Sequence, residues 1–401
     1  MNKMNKKIVL AFSGGLDTSF CVLYLKEELG YEVHSVLVNT GGFSPEELQT
    51  IEAKAYALGV ASHTTIDQTQ AYYNNCVKYL IFGNVLKNAA YPLSVSAERV
   101  CQATAIAQYA KQMKANAIAH GSTGAGNDQV RFDMIFNILL PDVTIVTPIR
   151  DLKLSREEEI AYLEKQGVTI NAEKAKYSIN QGLWGTSVGG KETLTSNLYL
   201  PEEAWPTPVT KTTEEVVEIV FDHGEPVALN GVTMNPTEVI QQLQALAQPF
   251  GIGRDIHVGD TIIGIKGRVG FEAAAPLILV KAHHTLEKHT LTKWQLSWKE
   301  QLSSSYGNFL HEGQFHDPIM RDMEAFLLST QKTVSGKVWV ALYPHRFVVQ
   351  GIESKHDLMS NDFGSYGEMN NSWTGEDVKG FSKIFGNQVM IWHKVNTQDD
   401  E

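Results

Sequence analysis

Five short apolar runs in the first 150 residues restrict what this chain can fold into more than any other feature. KKIVLAF, YEVHSVLV, VASHTTI, ANAIAHG and VTIVTPI begin about 25 to 55 residues apart, with amphipathic, helix-like sequence between them. Parallel neighbours cannot be joined by a tight turn, so this rhythm implies a doubly wound α/β domain, a parallel sheet with crossover helices on both faces. Two helix starts are legible. Ser44-Pro45-Glu46-Glu47 and Ser155-Arg156-Glu157-Glu158 each place a serine three residues before a glutamate, the pattern of a capping box.

After about Gly167 the texture changes. A glycine-rich passage, YSINQGLWGTSVGG, and a proline-punctuated one, LPEEAWPTP, mark a domain boundary. Beyond it, VVEIVF with PVALNG and KVWVALY with RFVVQGI read as antiparallel hairpins. Helical spacing is expected over 273–304 and 317–330, with Asn235 capping another helix, so an α+β domain follows the α/β one. No internal repeat is visible.

With 401 residues, the chain is longer than one hydrophobic core usually organises. Its formal charge of −11 argues against nucleic-acid binding, which draws on Lys and Arg to displace counterions. The three cysteines, Cys21, Cys76 and Cys101, form no CxxC pair and suit a reducing cytoplasm. The start MNKMNKKIVLAF lacks the h-region of a signal peptide, and the apolar stretch Ala273 to Val280 is interrupted by Pro276 and too short to span a bilayer. A cytoplasmic enzyme acting on small molecules is the expectation.

The first run leads into Ser13-Gly14-Gly15-Leu16-Asp17-Thr18-Ser19 and then a helix. Such a turn offers backbone N–H groups and hydroxyls at a helix N-terminus, where the macrodipole favours an anion. It is neither a Walker A loop nor a GxGxxG fingerprint. A turn with Asp17 or Thr18 as a plain N-cap is the alternative. A second glycine-rich turn, HGSTGAGNDQVRF over 120–132, follows the fourth run and brings hydroxyl, amide, carboxylate and guanidinium groups together. It is suited to a polar amino acid.

The first turn resembles the pyrophosphate loop of the N-type ATP pyrophosphatases, and the second closely resembles the HGxTGKGNDQVRF signature of argininosuccinate synthases. AYPLSVSAER, LSREEEIAYLEKQG, YSINQGLWGTSVGG and EDVKGFSKIFG extend the resemblance from residue 6 to about 395. It implies ATP and Mg²⁺ as cofactors and a homotetramer. It also implies a nucleotide-binding domain over 1–170, a synthetase domain over 171–364 and a C-terminal oligomerisation segment over 365–401. Ala11, Phe12, Ser13, Gly14, Gly15, Leu16, Asp17, Thr18, Ser19, Val38 and Gly121 match ATP contacts. Thr123, Asn127 and Asp128 match aspartate contacts, while Tyr91, Ser96, Arg131, Ser178 and Ser187 match citrulline contacts, Asn127 being shared. The implied reaction adenylates the ureido oxygen of citrulline, after which the aspartate amine displaces AMP. Asp17 and Asp128 are the acidic residues expected near pyrophosphate, metal and aspartate; which of them ligates the metal is not legible.

The chain departs from the family where citrulline should lie. In VGDTIIGIKGRVGFEAAAP the family's citrulline-binding glutamate aligns with Gly259 and its tyrosine with Phe271, with Asp260 available to compensate for the first. The signature lysine is Ala125, the family's DIGQ is Asn39-Thr40-Gly41-Gly42, and a proline is Val100. Either the site binds citrulline through other side chains, or it takes an N-acylated citrulline with no α-ammonium. Two other readings stand beside these. A tRNA thiolase conflicts with the acidic charge and the absence of paired cysteines, and a non-catalytic nucleotide-binding protein would need no aspartate pocket. His283, His284, His289 and Glu287 miss metal-binding spacings and read as a polar face or subunit contact, and Trp294 with Trp298 as packing.

Overall fold

The computed structural model describes residues 6–168, 176–359, 366–367 and 372–397. The five apolar runs form β1 (Lys7–Ala11), β2 (Glu32–Asn39), β3 (Ser62–Asp67), β4 (Ala117–Ala119) and β5 (Thr144–Val146), all parallel in the order β3-β2-β1-β4-β5. Side chains alternate across the sheet and feed two separate cores. Ile8, Leu10, Ala117 and Ala119 pack with Phe20 and Leu25 on one face, while Val9, Val36 and Ile118 pack with Ala103 and Ile106 on the other. The first half is therefore a doubly wound α/β fold.

The helices that flank it are α1 (Leu16–Leu23), α2 (Pro45–Ala57), the short α3 (Thr69–Tyr72) and α4 (Lys78–Phe82), α5 (Ser94–Gln112), α6 (Asp128–Leu139), α7 (Pro148–Leu152) and α8 (Arg156–Lys165). Both expected capping boxes are present, at Ser44 and Ser155.

The second half has two antiparallel sheets. One is built from β6 (Ser178–Gly182), β7 (Gly185–Gly189), β11 (Arg254–Asp260) and β12 (Lys266–Glu272), in the order β11-β12-β7-β6. The other contains β8 (Glu215–Asp222), β9 (Glu225–Leu229), β10 (Val232–Thr233), β13 (Gly336–Tyr343) and β14 (Arg346–Glu353). Helices α9 (Pro236–Ala247), α10 (Ala274–Thr290), α11 (Lys293–His311) and α12 (Pro318–Thr330) complete it. The helical stretch expected over 273–304 is two helices, because Thr292 accepts the Gln295 N–H and starts a new one.

Residues through Lys355 pack as one compact unit, and those from His356 onward form another. Within the first unit, the β6–β7 hairpin is bound to the α/β half by Leu183 N–H to Thr40 O at 3.0 Å and Trp184 Nε1–H to Pro92 O at 2.9 Å. The second unit holds α13 (Gly375–Phe385) and α14 (Asn387–Asn396), with part of the 365–401 segment outside the described residues. Among the described residues no helix is long and apolar enough to cross a membrane, and Cys21, Cys76 and Cys101 are free thiols.

His283 and Glu287 form no surface face. Both are fully buried, in a network where Lys299 Nζ meets Glu287 at 2.8 Å and Asn84 and Gln331 side chains bridge His283 and Glu287. Trp294 and Trp298 are exposed on α11 within this chain.

Candidate active site

At the C-terminal edge of β1 the chain passes through Gly14 at φ +75° into α1, whose N-cap residue, Gly15, provides no side-chain cap. The first-turn N–H groups of α1 are thus left for something else. Ser13 Oγ and Thr18 Oγ1 face each other at 3.4 Å across the turn. Ser19 lies beneath it: fully buried, its hydroxyl donates to the Gly15 carbonyl at 2.6 Å, so it shapes the turn rather than facing the cleft.

The second turn meets the first at Gly121. A Cβ there would lie 3.3 Å from the Asp17 carbonyl carbon and from Thr18 Cγ2, so the close approach favours glycine. His120 anchors this turn from beneath, accepting the Ser122 N–H on Nδ1 at 3.2 Å while Nε2 meets Asp133 at 2.8 Å. The Asn127 side-chain oxygen accepts the Ile262 N–H at 2.7 Å, tying the turn to the β11–β12 loop.

Asp128 begins α6 and is gripped by two guanidiniums, Arg99 Nε at 3.0 Å and Arg131 NH1 at 2.7 Å. Burial alone would raise its pKa, but the two arginines outweigh burial and hold the carboxyl below the ordinary range. Arg131 also donates to Ser96 Oγ at 3.1 Å and to the His311 carbonyl at 2.9 Å. Arg99 reaches Asn180 on β6 at 2.7 Å. These bonds bring α5, α6, α11 and β6 to one point.

The two turns open into one cleft of about 1300 Å³. Of the residues matched to ATP, aspartate and citrulline contacts, all but Ser19 line it: Ala11 to Thr18, Val38, Tyr91, Ser96, Gly121, Thr123, Asn127, Asp128, Arg131, Ser178 and Ser187. Further lining residues that the sequence did not single out include Lys54, Arg99, Glu159, His257 and His311. Lys54 Nζ donates to the Gly14 carbonyl at 2.6 Å. Glu159 on α8 is 3% exposed with Oε2 lacking any hydrogen-bond partner, and burial together with the neighbouring Asp17 carboxylate pushes it up to about 8. His311, buried and beside Arg131, is pulled down to about 3. Arg99 and Glu159 stand within strings that carry the resemblance, though nothing there marks them as site residues; the others come from helices or strands whose spacing looks ordinary.

At the far end of the cleft, Tyr91 stacks on His257 with centroids 4.9 Å apart and leans on the fully buried Phe271 at 5.4 Å. Asp260, beside the glycine at 259, also lines the cleft and pairs with the exposed Lys266 at 2.5 Å.

A parallel-sheet domain with an uncapped phosphate-type turn, fused to an α+β domain that closes the same cleft, defines a nucleotide-binding protein of the HUP class with a C-terminal partner domain. Residues 7–169 match the family described as the arginosuccinate synthase N-terminal HUP domain, and residues 177–392 match the arginosuccinate synthase C-terminal domain. The chain belongs to the argininosuccinate synthase family. It is 40% identical over 395 residues to a protein named argininosuccinate synthase from Methanocaldococcus jannaschii, spanning 97% of this chain and 98% of that one. It is 38% identical to the protein of the same name from Xylella fastidiosa, over 98% of each chain, and 36% identical to that from Pyrococcus furiosus, over 97% and 95%.

Proposed function

We propose that this chain is an ATP-dependent ligase that joins citrulline to aspartate, forming argininosuccinate with release of AMP and diphosphate. The observation that carries it is the union, in one cleft, of an uncapped helix N-terminus at Gly15 with the Asn127-Asp128-Arg131 turn. The first suits the β and γ phosphates of ATP. The second offers amide, carboxylate and guanidinium groups to an amino acid.

The neutral ureido oxygen of citrulline is a weak nucleophile, so this chemistry depends on placement in line with the α-phosphorus. Attack there forms the new P–O bond and expels pyrophosphate, leaving citrullyl-AMP; the aspartate amine then attacks the activated carbon and AMP departs. The N–H groups at the start of α1 would meet the charge that grows on the pyrophosphate. Mg²⁺, when bound, would supply further neutralisation of that charge. Asp17 and Glu159 fit it, since the two carboxylates lie side by side and Glu159 Oε2 is buried without a partner. Asp128 is committed to Arg99 and Arg131, which suits orienting amino-acid substrates.

A second reading concerns which citrulline is used. The carboxylates lining the far end are already paired, Asp260 with Lys266 and Asp128 with the two arginines, and Gly259 supplies none. A free α-ammonium would there be buried without a counter-charge, whereas an N-acylated citrulline brings none. With the main reading go a nucleotide-binding domain over 1–170, a synthetase domain over 171–364, and a cytoplasmic homotetramer held by 365–401, in line with the family resemblance.

Purified protein given ATP, Mg²⁺ and aspartate should release pyrophosphate and AMP only when a citrulline is added. Products from L-citrulline, N-acetylcitrulline and N-succinylcitrulline are to be weighed by mass spectrometry. ATP binding with no pyrophosphate release from any of them would overturn the enzymatic reading. Turnover of plain citrulline equal to or better than its acylated forms would reject the second one.

A further inference from the structure

The phosphate turn is supported from one side by α2. A Cβ on Gly14 would lie 3.1 Å from Ile51 Cγ1, and Lys54, three residues later and so on the same helical face, donates to the Gly14 carbonyl at 2.6 Å. Gly14 stands at φ +75°, so both its backbone conformation and the nearness of Ile51 favour glycine. Lys54 forms no ion pair among the described residues. Burial lowers the Lys54 pKa, which marks the ammonium as partly withdrawn from water.

A carbonyl oxygen facing an anion site repels it. In a trans peptide the C=O of one residue and the N–H of the next point in opposite directions, so the direction of the Gly14 carbonyl sets that of the Gly15 N–H. That N–H makes only a long contact, 3.4 Å to Ser13 Oγ. Neither glycine-rich turn, 13–19 or 121–128, carries a lysine or arginine. The cation hydrogen-bonded to the backbone of the phosphate turn comes from α2.

We propose that Lys54 is a positioning residue for the phosphate turn: its ammonium holds the Gly14 carbonyl away from the anion and thereby aims the Gly15 N–H at bound phosphate. This rests on the reading that the turn holds the β and γ phosphates of ATP. Its charge also reaches the cleft, which Lys54 lines.

The test is calorimetric titration of the full chain with inorganic pyrophosphate and Mg²⁺, comparing wild type, Lys54→Met and Lys54→Arg, with steady-state KM values for each substrate. Loss of one charge-assisted hydrogen bond predicts that Lys54→Met weakens pyrophosphate binding and raises the ATP KM by about 10-fold or more, with the aspartate KM changed less than about twofold. Lys54→Arg should recover most of the affinity, which a packing role would not predict. Thermal melting of both variants reports whether they fold, and should Lys54→Met not fold, a folded Lys54→Arg protein that has lost pyrophosphate binding by about 10-fold or more overturns the proposal. Equal pyrophosphate binding by folded Lys54→Met and wild type also overturns it. Wild type that binds no pyrophosphate refutes instead the reading of the turn as a phosphate site.

Discussion

The imidazole of His257 stands where a side chain at position 259 would go: a Cβ on Gly259 would lie 2.5 Å from His257 Nε2. The two residues are two apart on β11 and so share a face of the sheet. With Tyr91 stacked on His257 and leaning on Phe271, this end of the cleft is an aromatic wall. Burial, and then the charge of Lys87, lower the His257 pKa, so the wall presents neither a carboxylate nor a fixed cation at neutral pH.

Gly259→Glu would return a carboxylate to that wall at the cost of swinging the His257 ring aside. Partly buried charge pairs are worth about 1–2 kcal/mol, so the ratio of kcat/KM for free citrulline over N-succinylcitrulline should rise by about 10-fold. Competition assays with both substrates read this directly. An unchanged ratio would show that position 259 does not meet the α-amino end of the substrate.

Asp128 is the shared anion of Arg99 and Arg131, whose side chains are largely buried. Asp128→Asn keeps the shape but leaves the buried Arg131 without its counter-charge and Arg99 with Glu98 alone, at 3.2 Å, an arrangement that costs about 2–4 kcal/mol. Both a lower melting temperature and a rise in KM for citrulline and aspartate are expected, with the ATP KM moving less. Should the ATP KM move most, Asp128 belongs with the phosphates instead.

Much of the fold is written in local pattern. The five apolar runs became β1 to β5, and the boxes at Ser44 and Ser155 start α2 and α8, because strand burial and helix capping depend on residues close in sequence. The break between α10 and α11 was equally local, in Thr292 and Gln295, yet it lay inside continuous helical spacing. What local pattern does not carry is assembly. The clasp of Trp184 on Pro92, which joins the halves into one unit, spans 92 residues. In the cleft, the two turns declare themselves through glycine, while Lys54, Glu159 and His311 are ordinary helix residues until the tertiary fold brings them to the turns.

His311 gives the fold an acid-sensitive point. Its folded value of about 3 lies below the usual histidine range, the result of burial and the nearby Arg131, so the unfolded chain binds a proton that the folded one refuses. The stability this neutral ring contributes is complete above about pH 6.5 and is lost as pH falls toward 3, at up to about 1.4 kcal/mol per pH unit. Urea unfolding of wild type and His311→Asn at pH 7.5 and 5.5 should show a smaller acid loss in the variant. An identical loss would mean that His311 does not set it.

Glu159 separates metal binding from folding. In the free protein its buried carboxyl, held up at about 8 beside Asp17, is mostly protonated at neutral pH with one oxygen unpartnered, so Glu159→Gln keeps a neutral donor group toward Asp17. The variant should therefore melt no lower than wild type. A hard divalent cation prefers carboxylate to amide oxygen, and loss of one carboxylate ligand should weaken Mn²⁺ binding in the presence of a non-hydrolysable ATP analogue by about 10-fold or more. Electron paramagnetic resonance titration of free Mn²⁺ reads this without any turnover. A variant with wild-type Mn²⁺ affinity would take Glu159 out of the metal's surroundings and leave Asp17 to hold the ion with the phosphates alone.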